Sequence, residues 1–203
     1  MFVLDHIAVI ATNLDDGVAH VADALGVTAA GGGEHPMTAT HNRLLGLGDI
    51  YLEIIAINPA AGLPKLARWD VLQRLNGPPR LANWIVRSDD LDRDFADSPD
   101  GMGEIVSLQR GDLRWRMSKS TDGKQPFDNA YPAMLQWQGK SASDLIPDSG
   151  CRFISLEITH PDAGQLNQAL SAKLADERVS IIQGDSITFK AEIQTPNGLC
   201  QLI

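Results

Sequence analysis

No apolar run long enough to cross a bilayer, roughly 18 residues or more, occurs in the chain. The opening segment MFVLDHIAV carries neither a basic stretch nor a small-residue cleavage pattern. A soluble, cytoplasmic protein with no membrane partner is therefore expected. Cysteine is scarce: Cys151 and Cys200 are the only two, too few for a disulfide framework and not spaced as zinc ligands, so reduced thiols are expected. Basic residues are outnumbered, with 17 Lys and Arg against 26 Asp and Glu and a net charge of -9, which argues against general nucleic-acid binding. No G-x-G-x-x-G follows a strand, and neither G-x-x-x-x-G-K-[ST] nor G-x-S-x-G occurs, which removes the common dinucleotide, P-loop and serine-hydrolase classes.

What is present is a chain of 203 residues, 43% hydrophobic, enough for a full core in one large domain or two intimate modules. Residues 3 to 11, VLDHIAVIA, read as a mostly buried strand. Thr12 and Asp15 resemble a capping box, apolar residues follow at helical spacing over 14 to 25, and Gly26 stops the helix. The glycines at 31 to 33 mark a loop containing His35 and Pro36. Residues 40 to 47 and 50 to 58 read as strands joined tightly at Gly48 and Asp49. Further on, 64 to 75 reads as a helix opened by Pro64, 80 to 88 as a strand and 91 to 98 as a short acidic helix. A strand pair at 104 to 109 and 112 to 119, a strand at 134 to 138 and a turn-rich linker at 139 to 150 follow.

After that linker the opening pattern returns. Residues 151 to 166 align without gaps on 4 to 19, pairing Ile7 with Ile154, Thr12 with Thr159, Asp15 with Asp162 and Gly17 with Gly164. Strands at 179 to 183, 186 to 194 and 199 to 203 complete a second strand–helix–strands block, so an internal duplication is expected. The implied organisation is a first module at 1–58, a connecting segment at 59–150 and a second module at 151–203, all in one compact unit.

Two such modules resemble the glyoxalase-like domain family of the vicinal oxygen chelate superfamily. The residues carrying the likeness are Asp5-His6-Ile7, Gly32 to Pro36, Thr40 to Leu45, Leu47-Gly48 and Tyr51 to Ile55, with Leu113 to Arg116 and Pro132 to Trp137 later in the chain. The resemblance implies an α+β fold in which two βαβββ modules pair into a curved mixed sheet that forms a cup, with extra helix and strands between them. It implies a small-molecule ligand in that cup, dimers being common in the family, so a homodimer is one expectation. In metal-dependent members the first and last strands of each module each give a ligand. The matching positions here are His6 and Glu53, then Phe153, which cannot ligate, and approximately Gln201, which could ligate only through its amide oxygen. A divalent metal (zinc, nickel, manganese or iron) is thus a candidate cofactor with an incomplete ligand set.

Glu53 stands out on physical grounds alone, because a carboxylate inside Tyr-Leu-Glu-Ile-Ile-Ala-Ile is costly to bury unless paired, protonated or metal-bound. It is read either as a structural carboxylate paired with Arg43 or His6, or as a general base with its pKa raised by partial desolvation. Strand alternation puts His6 on one face with Leu4, Ala8 and Ile10, and Glu53 with Tyr51, Ile55 and Ile57. Either Asn42, or His41 with Arg43, points into the cup, and His35 stands at its mouth. Arg114 and Arg116 share a strand face where they could clamp an anion, while Trp137 is a ligand platform or core. The resulting expectation is a lyase or isomerase acting on a carbonyl-containing metabolite by proton abstraction. The alternative is a binding protein that sequesters an organic compound without turnover.

Overall fold

A computed structural model describes residues 1–203. Its first block runs β1 (Phe2–Ala11), α1 (Leu14–Leu25), β2 (Ala30–His35), β3 (Thr40–Gly46) and β4 (Tyr51–Ile57). Asn13, rather than Thr12, caps α1, its side-chain oxygen accepting from the backbone N–H groups of Asp15 at 2.8 Å and Asp16 at 3.4 Å. Gly26 ends the helix in the left-handed conformation, φ 68°. The glycines at 31 to 33 form the edge strand β2 instead of a loop. Gly32 is obligatory there, because a Cβ would lie 2.2 Å from the Asn42 carbonyl oxygen.

The expected helix at 64 to 75 shrinks to one turn, α2 (Asp70–Gln73); Pro64 opens an irregular segment instead. Then come β5 (Arg80–Ser88), α3 (Leu91–Ala96), β6 (Glu104–Arg110), β7 (Leu113–Lys119) and β8 (Ala133–Trp137). These strands join the first block in one eight-stranded sheet, ordered β2-β3-β4-β1-β5-β8-β7-β6. The two halves mirror each other about the β1–β5 seam, where Ile7 pairs with Trp84. Asp5 and Ala82 are both skipped in the pairing register, and Asn13 and Asp90 cap the two following helices. The same spacing separates Ile7 from Trp84, Asp5 from Ala82 and Asn13 from Asp90. The fold class expected from the sequence is therefore present, but the module facing the first one is residues 80–137 and not 151–203.

Residues 151 to 203 form β9 (Arg152–His160), α4 (Ala163–Leu170), β10 (Val179–Gln183), β11 (Thr188–Thr195) and β12 (Gly198–Leu202). They make a separate four-stranded sheet, ordered β10-β9-β11-β12. The local strand–helix likeness of 151–166 to 4–19 is real, yet β9 pairs in parallel with β10, the strand directly after its helix, whereas β1 pairs in parallel with the last strand of its block. Local pattern sets element type; which strand lies beside which is set by long-range packing.

One face of the large sheet (Ile7, Val9, Leu52, Ile54, Trp84, Val86) packs with α1, α4 and the inner face of the small sheet (Phe153, Leu156, Ile158, Phe189, Ile193) into a core of 31 buried residues. The other face curls around a smaller apolar cluster that includes Ala8, Ile10, Ile55, Ile85, Met117 and Leu135. The small sheet thus backs the cup and takes no part in lining it.

Gly17 is where α1 meets that backing core. A Cβ there would lie 2.7 Å from Ile54 Cγ2 and 2.9 Å from Ala11 Cβ, both in buried strands. Alanine adds about 1 kcal/mol of helix propensity, but overpacking a strand-bound contact costs about 1–3 kcal/mol. Gly17→Ala is expected to lower stability by up to about 2 kcal/mol in urea unfolding, and a stabilised variant would contradict this packing.

Candidate functional site

The curled face opens into a cavity of about 860 Å³, counted to its mouth, between the two halves of the large sheet. The histidine and carboxylate side chains of its wall come from the first half. The skip at Asp5 is a β-bulge, and it changes the alternation expected for β1. Leu4 stays with the backing core, while Asp5 and His6 both turn toward the cup. His6 Nδ1 lies 2.7 Å from Asp5 Oδ1, and His6 Nε2 lies 3.7 Å from Glu53 Oε2. All three side chains are buried. The Tyr51 ring stacks on the imidazole at 4.4 Å and 18°. Asp5 Oδ2 accepts a hydrogen bond from Trp137 Nε1 at 2.9 Å, so a residue of the second half holds the first half's carboxylate.

Glu53 faces the cup with Tyr51 and Ile55, as alternation predicts. Its partner is not Arg43, which is exposed and donates to the Asn42 carbonyl at 3.0 Å. Instead Asn42 Nδ2 donates to Glu53 Oε1 at 2.5 Å. Asn42 Oδ1 accepts from Gly33 N–H at 2.9 Å and from Arg110 at 3.1 Å. Arg110 also donates to His35 Nε2 at 3.1 Å, which makes that nitrogen the acceptor of a neutral ring. A polar chain therefore runs Arg110–Asn42–Glu53–His6–Asp5 across the cavity wall.

Electrostatics follow from this geometry. Burial alone pulls His6 down, but its hydrogen bonds to Asp5 and Glu53 and their negative charges lift it from 6.5 to about 9. Burial alone pushes Glu53 up, and the His6 contact, the charges of His6 and His35 and the Asn42 hydrogen bond outweigh it, bringing the carboxyl from 4.5 to about 2. The raised pKa expected for Glu53 on desolvation grounds is thus reversed by its neighbours. His35 is lowered, chiefly by burial. Burial also lowers Lys119 from 10.5 to about 8, against the pull of Glu53.

These directions set a stability profile. A raised histidine stabilises the fold fully below its unfolded value of 6.5, and that contribution drains away as pH rises toward about 9. A lowered carboxylate stabilises above 4.5, with loss as pH falls toward about 2. Lys119, lowered to about 8, acts in the opposite sense above that pH. Between pH 6.5 and about 8 the His6 effect dominates. The unfolding free energy is expected to drop there by about 1–2 kcal/mol, and a His6→Asn variant should lack that slope.

Other expected site residues fall elsewhere. His41 is half-buried on the opposite face of β3 and outside the cavity lining. Arg114 is exposed, and Arg116 forms a two-pronged ion pair with Asp92 at 2.6 and 2.7 Å, both on the outer face of β7. The inward face of β7 carries Trp115, Met117 and Lys119. Phe153 is core, beneath the Arg178 guanidinium at 5.1 Å, and Gln201 is exposed and bonded to Glu192 at 3.2 Å. His35, Asn42, Tyr51 and Trp137 do line the cavity. Asp5, Arg110, Lys119, Trp69 and Trp115 are wall or support residues beyond those expected from the sequence. Alternation along β7 would have grouped Trp115 with Lys119; Arg110, at the end of β6 beside a turn, carries no such signal.

The donor set does not fit a divalent metal. Symmetry about Ile7 and Trp84 puts Asn83 where His6 stands, and β8 puts Ala133 where Glu53 stands. The Asn83 side-chain oxygen accepts the Trp84 N–H at 2.9 Å, and alanine offers no donor. His6 and Glu53 remain as two donors where protein metal sites use three or four, and no group of three or more His, Cys, Asp or Glu side chains is gathered for an ion.

No helix is long and apolar enough to cross a membrane. No curated protein matches the chain. Among solved structures, a hypothetical protein from Staphylococcus aureus superposes with a TM-score of 0.67 at 14% identity, covering 93% of this chain and 88% of its own. Methylmalonyl-CoA epimerase from Mycobacterium tuberculosis gives a TM-score of 0.43 at 15% identity, covering 70% of this chain and 91% of its own. A family model described as glyoxalase-like domain matches residues 4–174. With a bulged first strand, a mirrored eight-stranded sheet and that match over most of its length, the chain belongs to the glyoxalase-like domain family.

Proposed function

We propose that the protein is a proton-transfer enzyme of the isomerase or lyase type, acting on a small carbonyl compound held in the cup. The observation that carries this reading is the buried Asp5–His6–Glu53 relay, which opens onto a cavity lined in half by apolar side chains, among them three tryptophans. Burying three ionisable groups costs several kcal/mol per ion before pairing, and nothing in the packing requires the relay to face a cavity.

The role of each residue follows from its contacts. Asp5, fixed by Trp137, holds the imidazolium of His6. In the resting protein the His6 Nε2–H faces Glu53 across 3.7 Å, too long for a tight hydrogen bond. A substrate carbonyl oxygen entering beside it takes that proton as a hydrogen bond. Glu53 then loses the neighbour that holds its pKa near 2 and becomes basic enough to take a proton from the carbon next to the carbonyl. Asn42 orients the carboxylate throughout.

A second reading, sequestration without turnover, is favoured by the low resting basicity of Glu53. One experiment separates the two. Wild-type protein is incubated in D2O with a panel of carbonyl compounds, and loss of C–H signal is followed by proton NMR. Enzyme-dependent exchange beside a carbonyl supports proton transfer. Compounds that bind by calorimetry but never exchange support sequestration.

A further inference from the structure

Beyond the relay, the cavity lining also carries cations. Arg68, Arg110 and Lys119 all line it, and none of them takes part in the molecule's ion pairs. Arg68 is anchored by donating to the Thr38 carbonyl at 2.8 Å, and Arg110 by donating to Asn42 and His35 at 3.1 Å. Lys119 is different. It is only 8% exposed, and its ammonium sits 5.9 Å from the centre of the Trp69 ring. A lysine so buried ordinarily has a carboxylate or carbonyl partner. Set against these cations, Glu53 is the only carboxylate in the lining, and it is already engaged by His6 and Asn42.

We propose that the cup takes an organic carboxylate with an aromatic or extended apolar body, whose carboxylate is bound by Lys119. The inference rests on the proposed function for the carbonyl group and adds the second functional group. An entering carboxylate gives Lys119 the charged partner it lacks, in a desolvated setting where a charge-assisted hydrogen bond is at its strongest. Trp69, Trp115 and Trp137, with Leu108 and Leu135, supply flat and apolar walls for the remainder of the ligand. Because β7 carries Lys119 and β4 carries Glu53, such an acid spans the cup from the second half to the first.

The test is calorimetric titration of phenylpyruvate, indolepyruvate and a branched aliphatic oxo acid, each beside its methyl ester. The acids are expected to bind wild-type protein at least about ten-fold more tightly than the esters, and Lys119→Met to weaken the acids by about ten- to a hundred-fold while leaving the esters within about two-fold. Equal affinity for acids and esters, an unaffected Lys119→Met variant, or no binding of any acid would overturn the proposal. The acid–ester comparison needs no variant, so a poorly folded substitution cannot mask the answer. Binding of acids through Lys119 without proton exchange would leave this inference standing and remove the catalytic one. Exchange of esters and acids alike with an unaffected Lys119→Met variant would do the reverse.

Discussion

Glu53→Gln is expected to abolish proton exchange while leaving the ligand bound. Glutamine keeps the shape of the side chain, so its amide oxygen can still accept from Asn42 while its NH2 group meets His6 Nε2 once that ring is neutral, and ligand affinity should stay within a few-fold. It cannot accept a proton from carbon, and removing a positioned general base costs about 10²- to 10⁴-fold in rate. The substitution also takes one negative charge away from His6. With burial pulling the imidazole down and Glu53 one of two groups holding it up, His6 should titrate lower than its native value of about 9. A rate within about two-fold of wild type would remove Glu53 from the chemistry. A matched loss of affinity and rate would point to a binding role.

Trp84→Ala is expected to be the most damaging single change to the fold. Trp84 is fully buried, pairs with Ile7 on the axis relating the two halves of the sheet, and donates its indole N–H to the Ala130 carbonyl at 2.8 Å. Truncation empties the centre of the 31-residue core and orphans that carbonyl, which puts the loss at about 3–5 kcal/mol. Trp84→Phe keeps most of the volume and loses the hydrogen bond, and should cost less than half as much. Urea unfolding measures both, and an alanine variant within about 1 kcal/mol of wild type would contradict the placement of this residue at the joint between the halves.

Much of the first block was legible from residues 1 to 58 because its signals are local. VLDHIAVIA, the apolar stripe of 14 to 25 with Gly26 behind it, and the paired strands around Gly48 all specify their own conformation. The inward direction of Glu53 followed from alternation in β4, which is regular. Two things were not legible. The bulge at Asp5 has no residue signature; it exists because β1 must match β5 and the curl of the sheet, and it alone brings Asp5 into the relay. The second half of the cup was hidden because β5 to β8 carry Asn83 and Ala133 where the first half carries His6 and Glu53, while 151–166 happens to look more like the chain's start. Lys119 and Arg110 went unnoticed for the same reason, since their meaning depends on facing a wall over 60 residues earlier in the chain.

The centre of the site is a charged imidazole held between two buried carboxylates. That charge is directly measurable by NMR of protein labelled with ¹⁵N at histidine, recorded from pH 5 to 10 with His6→Asn to assign the signal. Both ring nitrogens of His6 are expected to carry protons at pH 7.5, with the ring titrating near 9. A His6 ring that is neutral at pH 7.5 and titrates at or below its ordinary value of 6.5 would contradict this placement of charge.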